Sequence, residues 1–190
     1  MVAMSQEASD AINSTAGRSA EVAALVAVLD RLRRTFWWKV SDLDAGGLAT
    51  KAAASNMTLG GLTKHMALVE TDWLAVKLAG QDYGEPWDRV DFEADPEWEW
   101  RTGATDRPAE LEALWKAAVV RSQDVVRAVV DERGIDGPSS YIRRNGSTPT
   151  VRDMLLDMVE EYARHVGHAD LLREAVDGRV GENPPPDLPL

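Results

Sequence analysis

The chain contains three histidines, His65, His165 and His168, and two of them follow closely on Glu161. Glu161 and His165 are four residues apart, so on a helix their side chains project from the same face, one turn from each other. Imidazole and carboxylate groups bind zinc and other borderline divalent metals, and three such ligands leave a position open for water or substrate. With His65 from a second helix, Glu161 and His165 would form an open catalytic metal site.

The same residues allow other interpretations. His165 and His168, at positions i and i+3, are an alternative ligand pair, with Glu161 as a base or an outer hydrogen-bond partner. Without a metal, each histidine would be an ordinary core residue, and Glu161 would pair with Arg164 or with an arginine of the first helix. Asp157 lies one turn before Glu161 and borders the same face. The residues alone leave these alternatives open.

Apolar residues recur at helical spacing in four segments, which predicts four helices of about 20 to 28 residues. Glu161, His165 and His168 fall in the apolar stripe of the last helix, and His65 lies at the margin of the stripe of the second. The predicted helices run from Ser19 to about Val40, from Thr58 to Gly80, from Pro108 to just before Gly134, and from Thr150 to Asp177. These elements would bring the histidines and Glu161 towards one core.

Local signals support the predicted helix ends. Thr58 occupies an N-cap position, and Thr150 with Asp153 three residues later forms a variant of the capping box. Gly178 is a suitable C-cap, and three prolines follow it soon afterwards. The Gly60-Gly61 pair lacks the preceding strand and the spacing of a phosphate-binding loop, so it predicts close helix packing instead.

The predicted fold is all-α, a four-helix bundle with a long aromatic-rich loop, 81–107, between helices two and three. This loop shows neither helical nor alternating periodicity, but its aromatic side chains predict that it packs back on the bundle. The bundle is predicted to occupy 19–178 as a single domain, between a disordered tail, 1–18, and a Pro-rich tail, 179–190. All three connections are long enough for a crossover, so the order of helix directions is not predicted.

Charge and cysteine content exclude several classes of protein. The net charge of −11 makes the surface repel polyanions, so we expect neither nucleic-acid nor anionic-membrane binding. The chain has no cysteine, which excludes disulfides, a zinc ribbon, an iron–sulfur cluster and a cysteine nucleophile from its own sequence. We expect a cytoplasmic protein, a monomer or homodimer, that acts on a small-molecule substrate.

Two segments resemble a known group of proteins. The run EEYARHVGHADLLREAVDG, from Glu160 to Gly178, and LGGLTKHMALVETDWL, from Leu59 to Leu74, are similar to the DinB-like superfamily of bacterial four-helix bundles. The likeness is to its actinobacterial branch, which includes mycothiol-dependent maleylpyruvate isomerase and small uncharacterised relatives. It covers about 21–178. One departure is Asp157, which stands where many relatives have a histidine and puts the metal preference or a catalytic group in question.

The resemblance implies a ligand set and a chemistry. It implies that His65, Glu161 and His165 bind a divalent metal, zinc or nickel, and that His168 is a neighbour of the site. On this hypothesis, a low-molecular-weight thiol is the cosubstrate, and the protein is a thiol-dependent S-transferase or isomerase acting on a small electrophile. His168 and Asp157 would orient ligands or move protons, and the tryptophans of the long loop, Trp87, Trp98 and Trp100, would wall the substrate pocket. The alternatives are a metal-dependent hydrolase and a non-catalytic metal-binding stress-response protein.

Overall fold

The computed structural model describes residues 15–52, 55–186 and 188 of the chain. It is all-α, as predicted, and the described residues contain no β-strand. The helices are α1 (Thr15–Val40), α2 (Ala45–Ala49), α3 (Leu59–Glu70, continued by a π-helical stretch, Thr71–Leu78), α4 (Trp98–Gly103), α5 (Pro108–Arg133) and α6 (Val151–Asp177), with a 3₁₀ turn at Trp87–Arg89. The long helices α1, α3, α5 and α6 form the bundle.

The predicted caps are confirmed. The Thr58 side chain accepts a hydrogen bond from the Gly61 N–H at 3.0 Å at the start of α3. Thr150 and Asp153 form a reciprocal capping box at the start of α6, and Gly178 ends that helix with a φ of 78°. A positive φ is accessible to glycine at little cost, so Gly178 allows the chain to leave the helix there.

Three predicted boundaries or connections need correction. Helix α1 begins at Thr15, four residues before the predicted start, whereas 1–14 of the predicted tail lie outside the described residues. The connection between α1 and α3 contains the short helix α2, whose N-terminus is capped by the Asp44 side chain. The loop 81–107 contains the 3₁₀ turn and α4. Helices this short have too few residues to produce a periodic pattern, and tertiary packing stabilises them instead.

Contacts between helices define their directions. Arg152 pairs with Glu21 near the starts of α6 and α1, and Arg173 donates to the Lys39 carbonyl near their ends, so these two helices are parallel. Helices α3 and α5 are also parallel, since Lys64 reaches Asp106 at one end and Arg133 approaches the Leu78 carbonyl at the other. The long connection 79–107 returns the chain to the end at which α3 began, which is why consecutive long helices can run in the same direction.

A buried polar network joins all four long helices. Arg33 of α1 and Glu70 of α3 form a bidentate ion pair with two N–H···O distances of 2.7 Å, and both residues are at most 2% exposed. Tyr162 of α6 donates to Glu70 at 2.6 Å and accepts from Trp115 at 3.1 Å. Burial and the Glu70 carboxylate raise the pKa of Tyr162 well above its ordinary value, so its hydroxyl remains a donor. Arg33 is therefore engaged by Glu70 and does not pair with Glu161.

Glycines let α4 lie directly against the first turn of α3. A Cβ on Gly61 would lie 2.8 Å from the Trp100 carbonyl oxygen, and one on Gly103 would lie 2.6 Å from the Gly60 carbonyl oxygen. Such distances are too short for a methyl group, so the backbones approach this closely only without side chains. The close packing predicted from Gly60-Gly61 is confirmed, and the partner is the loop between α3 and α5.

Candidate metal centre

Helix α6 places Glu161 and His165 side by side. The helical spacing of four brings His165 Nε2 to 3.4 Å from Glu161 Oε2. His165 is buried, whereas the Glu161 side chain is 22% exposed. The pair thus lies at the edge of the core, with the imidazole inside and the carboxylate at an opening.

His65 comes to this pair from α3. Its ring centroid is 4.9 Å from that of His165, with the rings edge to face. One ligand atom from each of His65, Glu161 and His165 lies within 4.8 Å of the other two. Among the described residues, no other group of three or more potential metal ligands comes this close together. Two imidazoles and one carboxylate on two rigid helices fit a borderline divalent metal with an open position.

His168 lies outside this cluster, next to His165. The Nδ1 atoms of the two rings are 3.3 Å apart. Because a hydrogen bond needs one donor, one ring must carry its proton on Nδ1 while the other accepts. If His165 donates, its Nε2 keeps a lone pair on the side of Glu161, which is the arrangement that a metal ligand requires. The structure therefore groups His65 with Glu161 and His165, and places His168 behind His165.

Burial keeps His165 neutral. Burial, together with smaller contributions from positive charge on His65, His168 and Arg164, lowers the pKa of His165 to about 4. Metal binding requires the deprotonated imidazole, so the metal-free pocket already holds this histidine in its binding form near neutral pH.

The remaining acids and arginines around α6 have other partners. Asp157 lies 3.6 Å from Arg143, and burial raises the pKa of its carboxyl while Arg143 opposes the shift. Arg164 lies 3.5 Å from Glu161 but makes a closer contact, 2.6 Å, with Glu160. The ion pair of Glu161 with Arg164 is thus present but long and solvent-exposed, and leaves the carboxylate accessible to another cation.

Sequence reasoning did not identify Glu99 of α4, which is buried beside His65. Its Oε1 lies 3.4 Å from His65 Nδ1, and its Oε2 is buried without a hydrogen-bond partner among the described residues. An acid in a loop full of acids carries no distinguishing pattern. Its position depends on the packing of α4 against α3, which becomes visible only in three dimensions.

A cavity of about 450 Å³ opens beside the cluster. Its lining combines two of the cluster residues with Asp72 and an apolar wall: His65, Leu68, Val69, Asp72, Trp73, Tyr83, Phe92 and Glu161. Tyr83 donates to Asp72 Oδ1 at 2.5 Å, and Lys77 lies 2.6 Å from Asp72 Oδ2, so both carboxylate oxygens have partners. The space is large enough for a small organic substrate next to Glu161.

The three tryptophans predicted to wall the pocket lie in α4 or pack against it. Trp100 stacks on His65 with ring centroids 4.4 Å apart. Trp87 is buried and packs edge to face against Trp98, and the Lys64 ammonium lies 4.0 Å from the Trp98 ring. None of the three is among the residues that line the described cavity. Their contribution to substrate binding stays a prediction, with Trp100 the one in contact with a cluster residue.

Comparison with known proteins shows the family. A family model described as mycothiol-S-transferase matches residues 24–178, a segment that includes most of α1, the whole of α3, α5 and α6, and the whole candidate metal centre. No curated protein and no solved structure shows a match. No described helix is long and apolar enough to cross a membrane. The match supports the DinB-like, mycothiol-related relationship seen in the sequence, but not the maleylpyruvate isomerase detail. Since the matched segment is more than half of the chain, the chain belongs to the mycothiol-S-transferase family.

Proposed function

We propose that this protein is a divalent-metal-dependent S-transferase that joins a low-molecular-weight thiol, such as mycothiol, to a small electrophile. The observation that carries the proposal is the gathering of His65, Glu161 and His165 beside an open cavity. Membership of the mycothiol-S-transferase family supports the choice of thiol. In this proposal the three residues hold the metal, with zinc or nickel the candidates for this donor set.

The chemistry that such a metal supplies is a lowered pKa of a bound thiol, which makes the nucleophilic thiolate available near neutral pH. The chain has no cysteine, so the thiol must be a cosubstrate. His165 is neutral because of its burial and needs no proton removed before it can act as a ligand. In the cytoplasm, where we place the protein, small thiols are kept reduced.

The other residues of the site bind and orient. Trp73, Tyr83 and Phe92 offer apolar faces to an electrophile in the cavity, and Glu161 belongs to both the cavity and the cluster. Asp72 pairs with Lys77 and accepts a hydrogen bond from Tyr83, so it has no free hydrogen-bonding oxygen for a ligand. His168 orients His165 through the contact between their Nδ1 atoms. Asp157 is a candidate proton acceptor, one turn before Glu161.

The character of the lining favours a neutral electrophile. Asp72 and Glu161 are both acidic, and no lysine or arginine lines the cavity within the described part of the chain. A dicarboxylate such as maleylpyruvate would need cationic partners there, because an unpaired buried carboxylate is costly. We therefore propose general S-transfer as the activity and place maleylpyruvate isomerisation second.

The metal is tested by elemental analysis of the purified protein and of matched variants. Wild type should take up zinc or nickel, and His65→Ala and His165→Ala should lose the metal. His168→Ala, which removes a residue that orients His165 but no ligand, should weaken metal binding less than either ligand variant does. Uptake by both ligand variants as strong as by wild type would contradict the proposed ligand set.

The thiol is tested by turnover. The metal-loaded protein should consume a neutral electrophile, chlorodinitrobenzene, only when mycothiol is present, with formation of the thioether and release of chloride. Consumption that does not change on omitting the thiol would instead indicate a hydrolase. Metal binding without any turnover over a panel of electrophiles would favour a non-catalytic metal-binding protein.

A further inference from the structure

Glu99 is buried against a candidate metal ligand although it lies in the connection between α3 and α5. The residue is 6% exposed, and its Oε1 lies 3.4 Å from His65 Nδ1. Its second oxygen, Oε2, is buried and has no hydrogen-bond partner among the described residues. A carboxylate desolvated to this degree is costly unless nearby positive charge or donors compensate it. The position of Glu99 therefore calls for a compensating partner at this site.

The packing of α4 fixes Glu99 in this place. Gly60, Gly61 and Gly103 allow the backbones of α3 and α4 to touch. Lys64, the residue before His65, donates to Thr102 of α4 at 2.8 Å. Glu99 is thus held on a short helix that is attached directly to the turn carrying His65, and not on a free loop.

His65 is held from two directions by the same helix. Trp100 stacks on the imidazole at a centroid distance of 4.4 Å and an interplanar angle of 23°, which restricts the plane of the ring. Glu99 contacts its Nδ1 edge. A carboxylate accepts hydrogen bonds only, so this contact favours the tautomer with the proton on Nδ1 and leaves Nε2 with its lone pair.

We propose that Glu99 is a positioning residue, which accepts a hydrogen bond from His65 Nδ1–H and so presents His65 Nε2 as a metal ligand. This inference rests on the proposed metal site. Carboxylates behind ligating histidines fix the tautomer and raise the basicity of the ring, and their loss usually weakens metal binding by about 10- to 100-fold. A divalent cation beside His65 would also offset the negative charge of the buried carboxylate.

The experiment measures the tautomer and the metal affinity separately. Long-range proton–nitrogen NMR of the metal-free protein identifies which ring nitrogen of each of the three histidines is protonated. Calorimetric titration with zinc gives the affinity. The variants are Glu99→Leu, which removes the acceptor, and Glu99→Gln, which keeps one acceptor oxygen without the charge. Glu97→Gln is the matched control, since Glu97 is an exposed acid at the start of the same short helix.

Wild type should carry the His65 proton on Nδ1. Glu99→Leu should shift this proton towards Nε2 and weaken zinc binding by about tenfold or more. Glu99→Gln should keep the wild-type tautomer and lose less than about tenfold. Glu97→Gln should match wild type in both measurements.

Two results would overturn the proposal. The first is a wild-type His65 protonated on Nε2, which decides the question even if Glu99→Leu does not fold. The second is a folded Glu99→Leu protein whose zinc affinity is less than about tenfold weaker than that of wild type. If wild type binds no metal, the proposed function fails, whereas the tautomer of His65 still tests the contact with Glu99.

Discussion

Replacing Arg33 with methionine should destabilise the protein strongly. The guanidinium and the Glu70 carboxylate make two hydrogen bonds of 2.7 Å, with Arg33 2% exposed and Glu70 fully buried. Methionine has a similar length but no charge, so the Arg33→Met variant leaves the Glu70 carboxylate in the core with Tyr162 Oη, 2.6 Å away, as its remaining side-chain donor. Breaking a buried ion pair in this way costs about 3–5 kcal/mol of unfolding free energy.

The expected loss is large enough to measure in two ways. For a domain of this size, each kcal/mol lowers the melting temperature by about 2–4 °C, which gives a decrease of about 6–20 °C. Equilibrium urea unfolding, followed by circular dichroism with a chelator present, measures the free energy without a contribution from bound metal. Arg31→Met is the matched control, because Arg31 is an exposed arginine on the same helix and its loss should cost no more than about 0.5 kcal/mol.

A double variant separates the ion pair from simple loss of packing. Arg33→Met combined with Glu70→Leu removes both charges, so it should be more stable than Arg33→Met alone, although Tyr162 loses its acceptor. A cost below about 1 kcal/mol for Arg33→Met would refute this reasoning. So would a double variant whose loss equals the sum of the two single losses, since that would show no coupling between the residues.

Three further outcomes are expected. Gly60→Ala should lower the free energy of unfolding by about 1–3 kcal/mol in urea, because its Cβ would meet the Gly103 carbonyl. Gly167→Ala, on an open helix face, should instead raise it by about 0.5–1 kcal/mol. Equal effects of the two changes would contradict the close packing of α3 and α4. Phe92→Lys adds a cation to the cavity wall. The ratio of kcat/KM for an anionic aryl chloride to kcat/KM for chlorodinitrobenzene should therefore rise about fivefold, or roughly 1 kcal/mol. An unchanged ratio would count against this wall as the substrate contact. The metal-free protein should lose stability as the pH falls from 6.5 towards about 4, since the folded state lowers the pKa of His165 and the unfolded chain therefore takes up the proton first. Between the upper and lower ends of this pH window, the urea midpoint should fall less for His165→Gln than for wild type. An equal fall in both proteins would show that another group is responsible.

Local patterns determined much of the bundle. The N-caps Thr58 and Thr150 and the C-cap Gly178 were identifiable because a cap depends on residues within one turn of each other. Glu161 and His165 were identifiable as neighbours for the same reason, since helical spacing alone brings positions i and i+4 together. The sequence also limited the chemistry, because a chain without cysteine cannot supply its own thiolate.

Contacts between distant segments needed the tertiary structure. The choice of His65 over His168 as the neighbour of Glu161 and His165 depends on how α3 lies across α6. The parallel direction of α3 and α5 depends on the path of the connection 79–107, which has no periodic pattern. Glu99 became visible beside His65 only once α4 was packed on α3 through their glycines. Spacing along one helix is a local property of the chain, whereas these three features come from long-range packing, in which residues far apart in sequence meet and no local pattern records the meeting.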